Sequence, residues 1–296
     1  NLIIEADVVS FENSFATETE AREIEDEFRA VYFMPKRQRQ ITAQVIKSIA
    51  QEYDKLYSLI IKHRKPVIFL ERHASTEDGK AWKETKKRID TSLEEMTLVL
   101  GGDCEGALQY VYEYALLVRA MAKLRDRNME QNGHNIRNRI NEQYPHLADK
   151  AQVNYLVIIG SNHNPEGLAS VQDSTLRVEP LAPKPKYPHW RAIIYEKTLV
   201  QNLGFEECRD DIARHLLAWA YRTVVLQYSK KISKREEKDL FMLSQVIVAK
   251  MGIQELQALC SRTEQKTDGL SELQNFFVEF GMPIPTKSRD YNKLYV

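Results

Sequence analysis

Glu71, Arg125 and His163 are the residues of this chain whose types and settings could do chemistry together. His163 closes the stretch Tyr155-Leu156-Val157-Ile158-Ile159-Gly160-Ser161-Asn162-His163, an apolar, strand-forming run that stops abruptly at Gly160. Its length and β-branching suit a strand buried on both faces, as in a parallel sheet covered by helices. Ser161, Asn162 and His163 then fall just past the carboxyl end of that strand, the edge where open α/β sheets bind ligands. Glycine at 160 lets the chain turn sharply and lets another group approach the backbone. Glu71 has a matching setting. Pro66-Val67-Ile68-Phe69-Leu70 reads as a second buried strand, and it ends in the charged triplet Glu71-Arg72-His73. Were the two strands parallel neighbours, Glu71 and His163 would project into one crevice. The plainer account of each is a structural salt bridge, or a histidine that bonds a neighbour.

Arg125 belongs to a helical stretch, where the i, i+4, i+7 spacing puts it on one face with Met129 and Asn132. An inward face carrying those donors must satisfy them, or suffer a desolvation cost of several kcal/mol. Glu71 or a bound anion would satisfy Arg125. Together the parts suit ester or amide hydrolysis, with His163 as general base, Glu71 orienting it or activating water, and Arg125 stabilising the oxyanion. Glu12, Asn132 and Asn162 are the expected substrate contacts. A divalent-metal variant would use His163, Glu71 and His73, since imidazole and carboxylate are normal ligands of zinc and similar ions. The chain has no Gly-x-Ser-x-Gly elbow, which argues against a serine triad, and Gly101-Gly102-Asp103 lacks the spacing of a phosphate-cradling loop.

The elements that must position these residues read as an α/β core over residues 1–200, built on a largely parallel central sheet covered by helices. A helical subdomain over residues 201–296 packs on it. A first strand falls within Leu2–Val9. An acidic helix follows from Thr17 to Glu27, its carboxylates read as solvated. Arg37–His63 is amphipathic, closed by Pro66, and residues 78–100 form another helix. Cys104–Lys123 is a long apolar helix that continues through Asn132. Residues 170–196 read as irregular strands around a Pro-rich passage, a lid or insertion, with Arg191–Tyr195 as a further strand. Four helices complete the chain at Cys208–Tyr228, Lys234–Lys250, Ile253–Cys260 and Leu270–Phe280.

Composition narrows the classes. The 296 residues can bury the core of one large α/β domain or of two smaller ones. Forty-two basic residues balance forty-two acidic ones, which argues against a general nucleic-acid or anionic-membrane binder. Cys104, Cys208 and Cys260 form no CxxC pair and cannot all pair within the chain, so they read as buried free thiols, favouring the cytoplasm. No apolar run approaches the roughly 18 residues of a membrane span. The first residues lack the basic start and apolar core of a signal peptide. Without an initial Met the chain reads as a processed product or a piece of a longer one.

Three of these motifs, in order and rough spacing, resemble a superfamily that unites erythromycin esterase-like hydrolases, TraB and Tiki-type metalloprotease-like proteins and ChaN-like haem-uptake proteins. Phe69-Leu70-Glu71 looks like its glutamate strand. Arg125-Asp126-Arg127-Asn128-Met129-Glu130-Gln131-Asn132 looks like its arginine helix, and Val157-Ile158-Ile159-Gly160-Ser161-Asn162-His163 like its second histidine strand. The resemblance covers about residues 1 to 165 and implies a hydrolase-like site. One motif departs from it. No Gly-x-x-His precedes Glu71, and the positional counterpart is Phe11-Glu12-Asn13-Ser14, with Ser14 in the histidine place. That departure favours a rival expectation: a non-catalytic ligand- or protein-binding domain, part of a toxin or effector, with a degenerate site. Haem binding through a His or Tyr axial ligand is a third.

Overall fold

The structure, a computed structural model, describes residues 6–11, 18–35, 54–70, 80, 81, 84, 85, 87, 95–158, 187–228, 233–264 and 268–285. In chain order these form β1 (Val8–Phe11), α1 (Glu18–Phe33), α2 (Asp54–Lys62), α3 (Glu95–Leu100), α4 (Cys104–His134) and α5 (Ile136–Gln143). There follow β2 (Tyr155–Ile158), α6 (Trp190–Tyr195), a π-helical turn (Glu196–Val200), α7 (Phe205–Tyr228), α8 (Lys234–Ile247), α9 (Ile253–Thr263) and α10 (Gly269–Glu279). The chain divides into two compact units, residues 1–86 with 121–179 and residues 87–120 with 180–296.

The expected central sheet is not what forms. Of the described residues 73% are helical and 4% lie in strands, and the sheet has two strands. β1 and β2 pair in parallel, Val8 opposite Tyr155 through Phe11 opposite Ile158. On the other side of β1 the extended 66–70 segment makes one parallel bridge, Val9 to Val67. Val9 N–H donates to Pro66 O at 2.9 Å and Ile68 N–H to Val9 O at 3.2 Å. The 66–70 segment and β2 therefore flank β1 and are not each other's neighbours.

The outward edge of the 66–70 segment shows why no further strand is added there. Side chains take the hydrogen bonds that another strand would take. Val67 N–H donates to the Tyr144 hydroxyl at 3.2 Å, and that hydroxyl donates to Val67 O at 3.3 Å. Phe69 N–H donates to Glu25 Oε1 at 2.6 Å, while Arg139 Nη1 donates to Phe69 O at 2.9 Å. Arg139 and Glu25 close the clip as an ion pair at 2.5 Å, and Gln143 Nε2 adds a bond to the other Glu25 oxygen at 3.1 Å. Glu25 is 1% exposed. The expectation of a solvated acidic helix therefore fails at Glu25, which α1 turns inward together with Phe28 and Tyr32.

Two-sided burial of the 66–70 run is as its composition implies. Val67 and Phe69 pack with Val9, Phe28, Val31 and Ile60 on one face. Ile68 and Leu70 pack with Val8, Met129, Ile140 and Tyr144 on the other. The run that leads toward His163 differs. β2 is only partly buried, with Tyr155 38% exposed, so it is not a strand covered on both faces.

The second unit is helical. Ile212, Ala213, Leu216, Leu217, Ala220, Tyr221, Val224 and Val225 bury α7 nearly all round, as in a core helix. It packs against α3, α6, α8, α9 and α10. Ser233 caps α8 through a reciprocal bond with Glu236. The expected strand at Arg191–Tyr195 is instead helix α6. His189 Nδ1 accepts from Ala192 N–H to start it, and Trp190, Ile194 and Thr198 fall on one buried side at a spacing of four. That helical spacing outweighs the strand preference of the Ile193-Ile194 pair.

Candidate functional site

The first unit gathers its carboxyl ends at one edge. β1, β2 and the 66–70 segment run parallel, so Phe11, Ile158 and Leu70 all terminate extended backbone pointing the same way. Leu70 is fixed at both backbone groups. Its N–H donates to Ser10 Oγ at 3.2 Å, and its carbonyl accepts from Asn132 Nδ2 at 2.8 Å. Ser10 is buried, so its hydroxyl and the Leu70 N–H satisfy one another.

The helix that supplies Asn132 is long because nothing between Ala107 and Gln131 breaks it: that stretch contains neither Pro nor Gly. Its last turns carry the face expected for them. Arg125 is 7% exposed, Asn128 1% and Met129 2%, while Lys123, Arg127 and Gln131 face outward. Met129 joins the apolar cluster beside Ile68 and Leu70, which holds this face against the segment that leads to Glu71. Asn132 also donates to Asn128 O at 2.8 Å, so its carboxamide is oriented by its own helix before it reaches the sheet edge.

Of the residues expected to form the site, Arg125 and Asn132 are thus on one buried helix face. Glu71, His73, Glu12, Asn162 and His163, with Ser14, lie outside the described residues. The suggested metal ligands Glu71, His73 and His163 are all among these. Among the described residues no three His, Cys, Asp or Glu side chains come together to hold a metal ion. No helix among them is long and apolar enough to cross a membrane.

A second polar cluster, in the helical unit, has no local sequence signal. His215 Nε2 on α7 lies 3.5 Å from Glu95 Oε2 on α3, both side chains being less than 10% exposed. Neither atom has another hydrogen-bond partner among the described residues. Trp219 meets the His215 ring edge-on, with ring centroids 6.1 Å apart. Arg191 stacks its guanidinium 4.6 Å from the Tyr114 ring centre and donates to the Tyr195 hydroxyl at 2.9 Å. Burial alone would raise the Glu95 carboxyl, but the His215 hydrogen bond and charge, with the Arg191 charge, hold it below its ordinary value. Burial pushes the His189 imidazole down, and the charges of His215 and Arg191 add to that. A neutral His189 ring suits its task of accepting the Ala192 N–H. This cluster joins α3, α6 and α7 within the unit.

A shallow depression of about 400 Å³ on the same unit is lined largely by charges that already pair, Asp211 with Lys197 at 2.5 Å and with Arg214 at 2.8 Å. The sheet edge of the first unit is the better candidate, because there the buried polar groups sit beside the residues from which Glu71 and His163 continue. No family model, curated protein or solved structure matches the chain, and the site is read from its own residues.

Proposed function

We propose that the carboxyl edge of the small parallel sheet is a hydrolytic site for esters or amides, worked by Glu71, Arg125 and His163. The observation that carries the reading is the Asn132 bond to Leu70 O at 2.8 Å, directly before Glu71 and made by the helix that buries Arg125. A buried guanidinium on the helix that fixes this strand end suits an oxyanion, since a fixed charge in a low-dielectric setting acts without reorganising. The resemblance of the three motifs to the esterase-like superfamily points to the same reaction class.

In this reading water adds to the substrate carbonyl carbon and gives its proton to His163. Glu71 orients the imidazole and stabilises its charged form. The oxyanion forms against Arg125, and on collapse His163 returns the proton to the departing alkoxide or amine. Asn132 positions Leu70, and through it the residue that follows.

The test is turnover of a panel of chromogenic esters and anilides by the purified full chain. His163→Ala should remove turnover. Arg125→Lys should lower kcat by about 100-fold, the usual loss of one oxyanion donor. Full activity in His163→Ala would overturn the proposal, as would no turnover of any substrate by the wild-type chain.

A further inference from the structure

Two of the three cysteines meet in the helical unit. Cys104 opens α4, and Cys260 lies in α9, 156 positions later in the chain. The backbone holds the two places together from both sides. Thr263 Oγ1 donates to Val99 O at 2.6 Å and to Cys260 O at 3.0 Å, which ties the end of α9 to the last turn of α3, just ahead of the turn into α4. Gly102 in that turn has φ +81°, and a Cβ there would lie 2.6 Å from Glu264 Cβ, so the two backbones approach as closely as glycine permits. These backbone ties hold Cys104 and Cys260 as neighbours, close enough for each thiol to shift the ionisation of the other.

We propose that Cys104 and Cys260 are a redox-active dithiol that closes to a reversible intramolecular disulfide. A disulfide needs its sulfurs at about 2.05 Å, and with the backbones tied on both sides the closure asks only for rotation of the two side chains. The two thiols differ in the way such a pair requires. Cys104 is half-buried at a helix start, while Cys260 is 1% exposed. The neighbouring Cys260 thiol draws the Cys104 thiol below its ordinary value despite burial, and Arg209 adds to that. Cys260, by the Cys104 thiol beside it and by burial, is pushed up. Cys104 is therefore the attacking thiolate and Cys260 the resolving thiol.

With a small-molecule disulfide such as oxidised glutathione as oxidant, the Cys104 thiolate attacks one glutathione sulfur and expels the other as a thiolate. Cys260 then gives up its proton and attacks Cys104 Sγ, breaking the mixed disulfide and releasing the second glutathione. The protein dithiol loses two electrons and two protons, and two molecules of reduced glutathione form. Cys208 provides an internal reference. It is 0% exposed on α7, burial raises its thiol, and among the described residues no thiol faces it.

The experiment is to equilibrate the native full chain in glutathione buffers of graded composition, quench with acid, alkylate in denaturant so that every free thiol is reached, and map the peptides by mass spectrometry. The expected result is one cross-link, Cys104 to Cys260, lower in mass by two hydrogens and reversed by dithiothreitol, with Cys208 alkylated throughout. Cys208→Ser should keep the cross-link, and Cys260→Ser should stop at glutathione attached to Cys104. Three alkylated thiols in the wild-type chain across all buffers would overturn the proposal, as would a cross-link through Cys208 or between molecules. The wild-type map decides the matter whether or not a variant folds.

Discussion

Arg139 holds the outward edge of the 66–70 segment, and replacing it by Met tests whether a clip of side chains stands where another strand would be. Glu25 is 1% exposed at its side chain and Arg139 13%, so the pair is barely screened by water. Removing the cation takes the charged partner from a buried carboxylate that Phe69 N–H and Gln143 also serve, and takes the Arg139 Nη1 bond from Phe69 O. Breaking a buried ion pair from one side costs about 3–5 kcal/mol. Glu25→Gln, which keeps the shape and takes the carboxylate charge from the guanidinium, should cost about the same. The double variant buries neither charge. A Gln at position 25 still accepts from Phe69 N–H, so the main residual loss is the Arg139 bond to the Phe69 carbonyl, about 1–3 kcal/mol. The two single losses should therefore exceed the double loss by about 3 kcal/mol or more, far beyond the roughly 0.5 kcal/mol scatter of independent sites. Urea unfolding of the four proteins supplies the cycle, and hydrogen exchange at the Phe69 and Leu70 amides reports the segment itself. Additive losses, or unchanged protection at Phe69, would refute the reasoning that this pair closes the sheet edge.

Tyr144→Phe removes one hydroxyl but two hydrogen bonds, 3.2 and 3.3 Å long, to Val67. With the ring retained in its buried place, the expected loss is about 2–3 kcal/mol, at the low end for two buried groups left unpaired; a change under about 0.5 kcal/mol in urea unfolding would contradict the assignment. Glu95 gives the acid side of the pH dependence. Its carboxyl is held below the ordinary 4.5, so the stability it contributes is present above pH 4.5 and is lost as pH falls through the lower folded value. Thermal melts between pH 3 and 7 should therefore show the helical unit destabilised at the acid end, with that limb flattened in Glu95→Gln; an identical acid limb in the variant would remove Glu95 from the account.

What could be read from the sequence was local. The face of Arg125, Met129 and Asn132 followed from helical spacing alone, and a 31-residue helix carries it. Burial of the 66–70 run followed from its unbroken apolar composition. The number of its strand neighbours did not. An apolar β-branched run says that backbone will be buried and extended, and is silent on whether strands or side chains take its hydrogen bonds. Here they come from Glu25, Tyr144 and Arg139, which stand 44, 77 and 70 positions from the groups they serve. Glu25 could have been recognised, since it shares the face of Phe28 and Tyr32 on an otherwise polar helix. The Glu95 and His215 pair joins residues 120 positions apart in the chain and has no local pattern to find.

The small size of the sheet bears on how a site can be assembled at its edge. A wide parallel sheet presents many strand ends and can draw all its polar groups from them. Among the described residues three extended segments present three ends, and the side chains that close the 66–70 edge fix that limit on one side. In the proposed site the cation comes from a helix that reaches this edge through Asn132, and its placement depends on what anchors that helix. Met129 in the apolar cluster and Asn132 on Leu70 O are those anchors. Loosening them should act on the site before it acts on the fold. Asn132→Ala removes the half-buried bonds to Leu70 O and Asn128 O, worth about 1 kcal/mol each. In the proposed hydrolysis it should lower kcat more than that figure implies, because a small misplacement of a reacting group can cost about 100-fold. Turnover falling only in step with stability would mean that Asn132 supports the helix and nothing more.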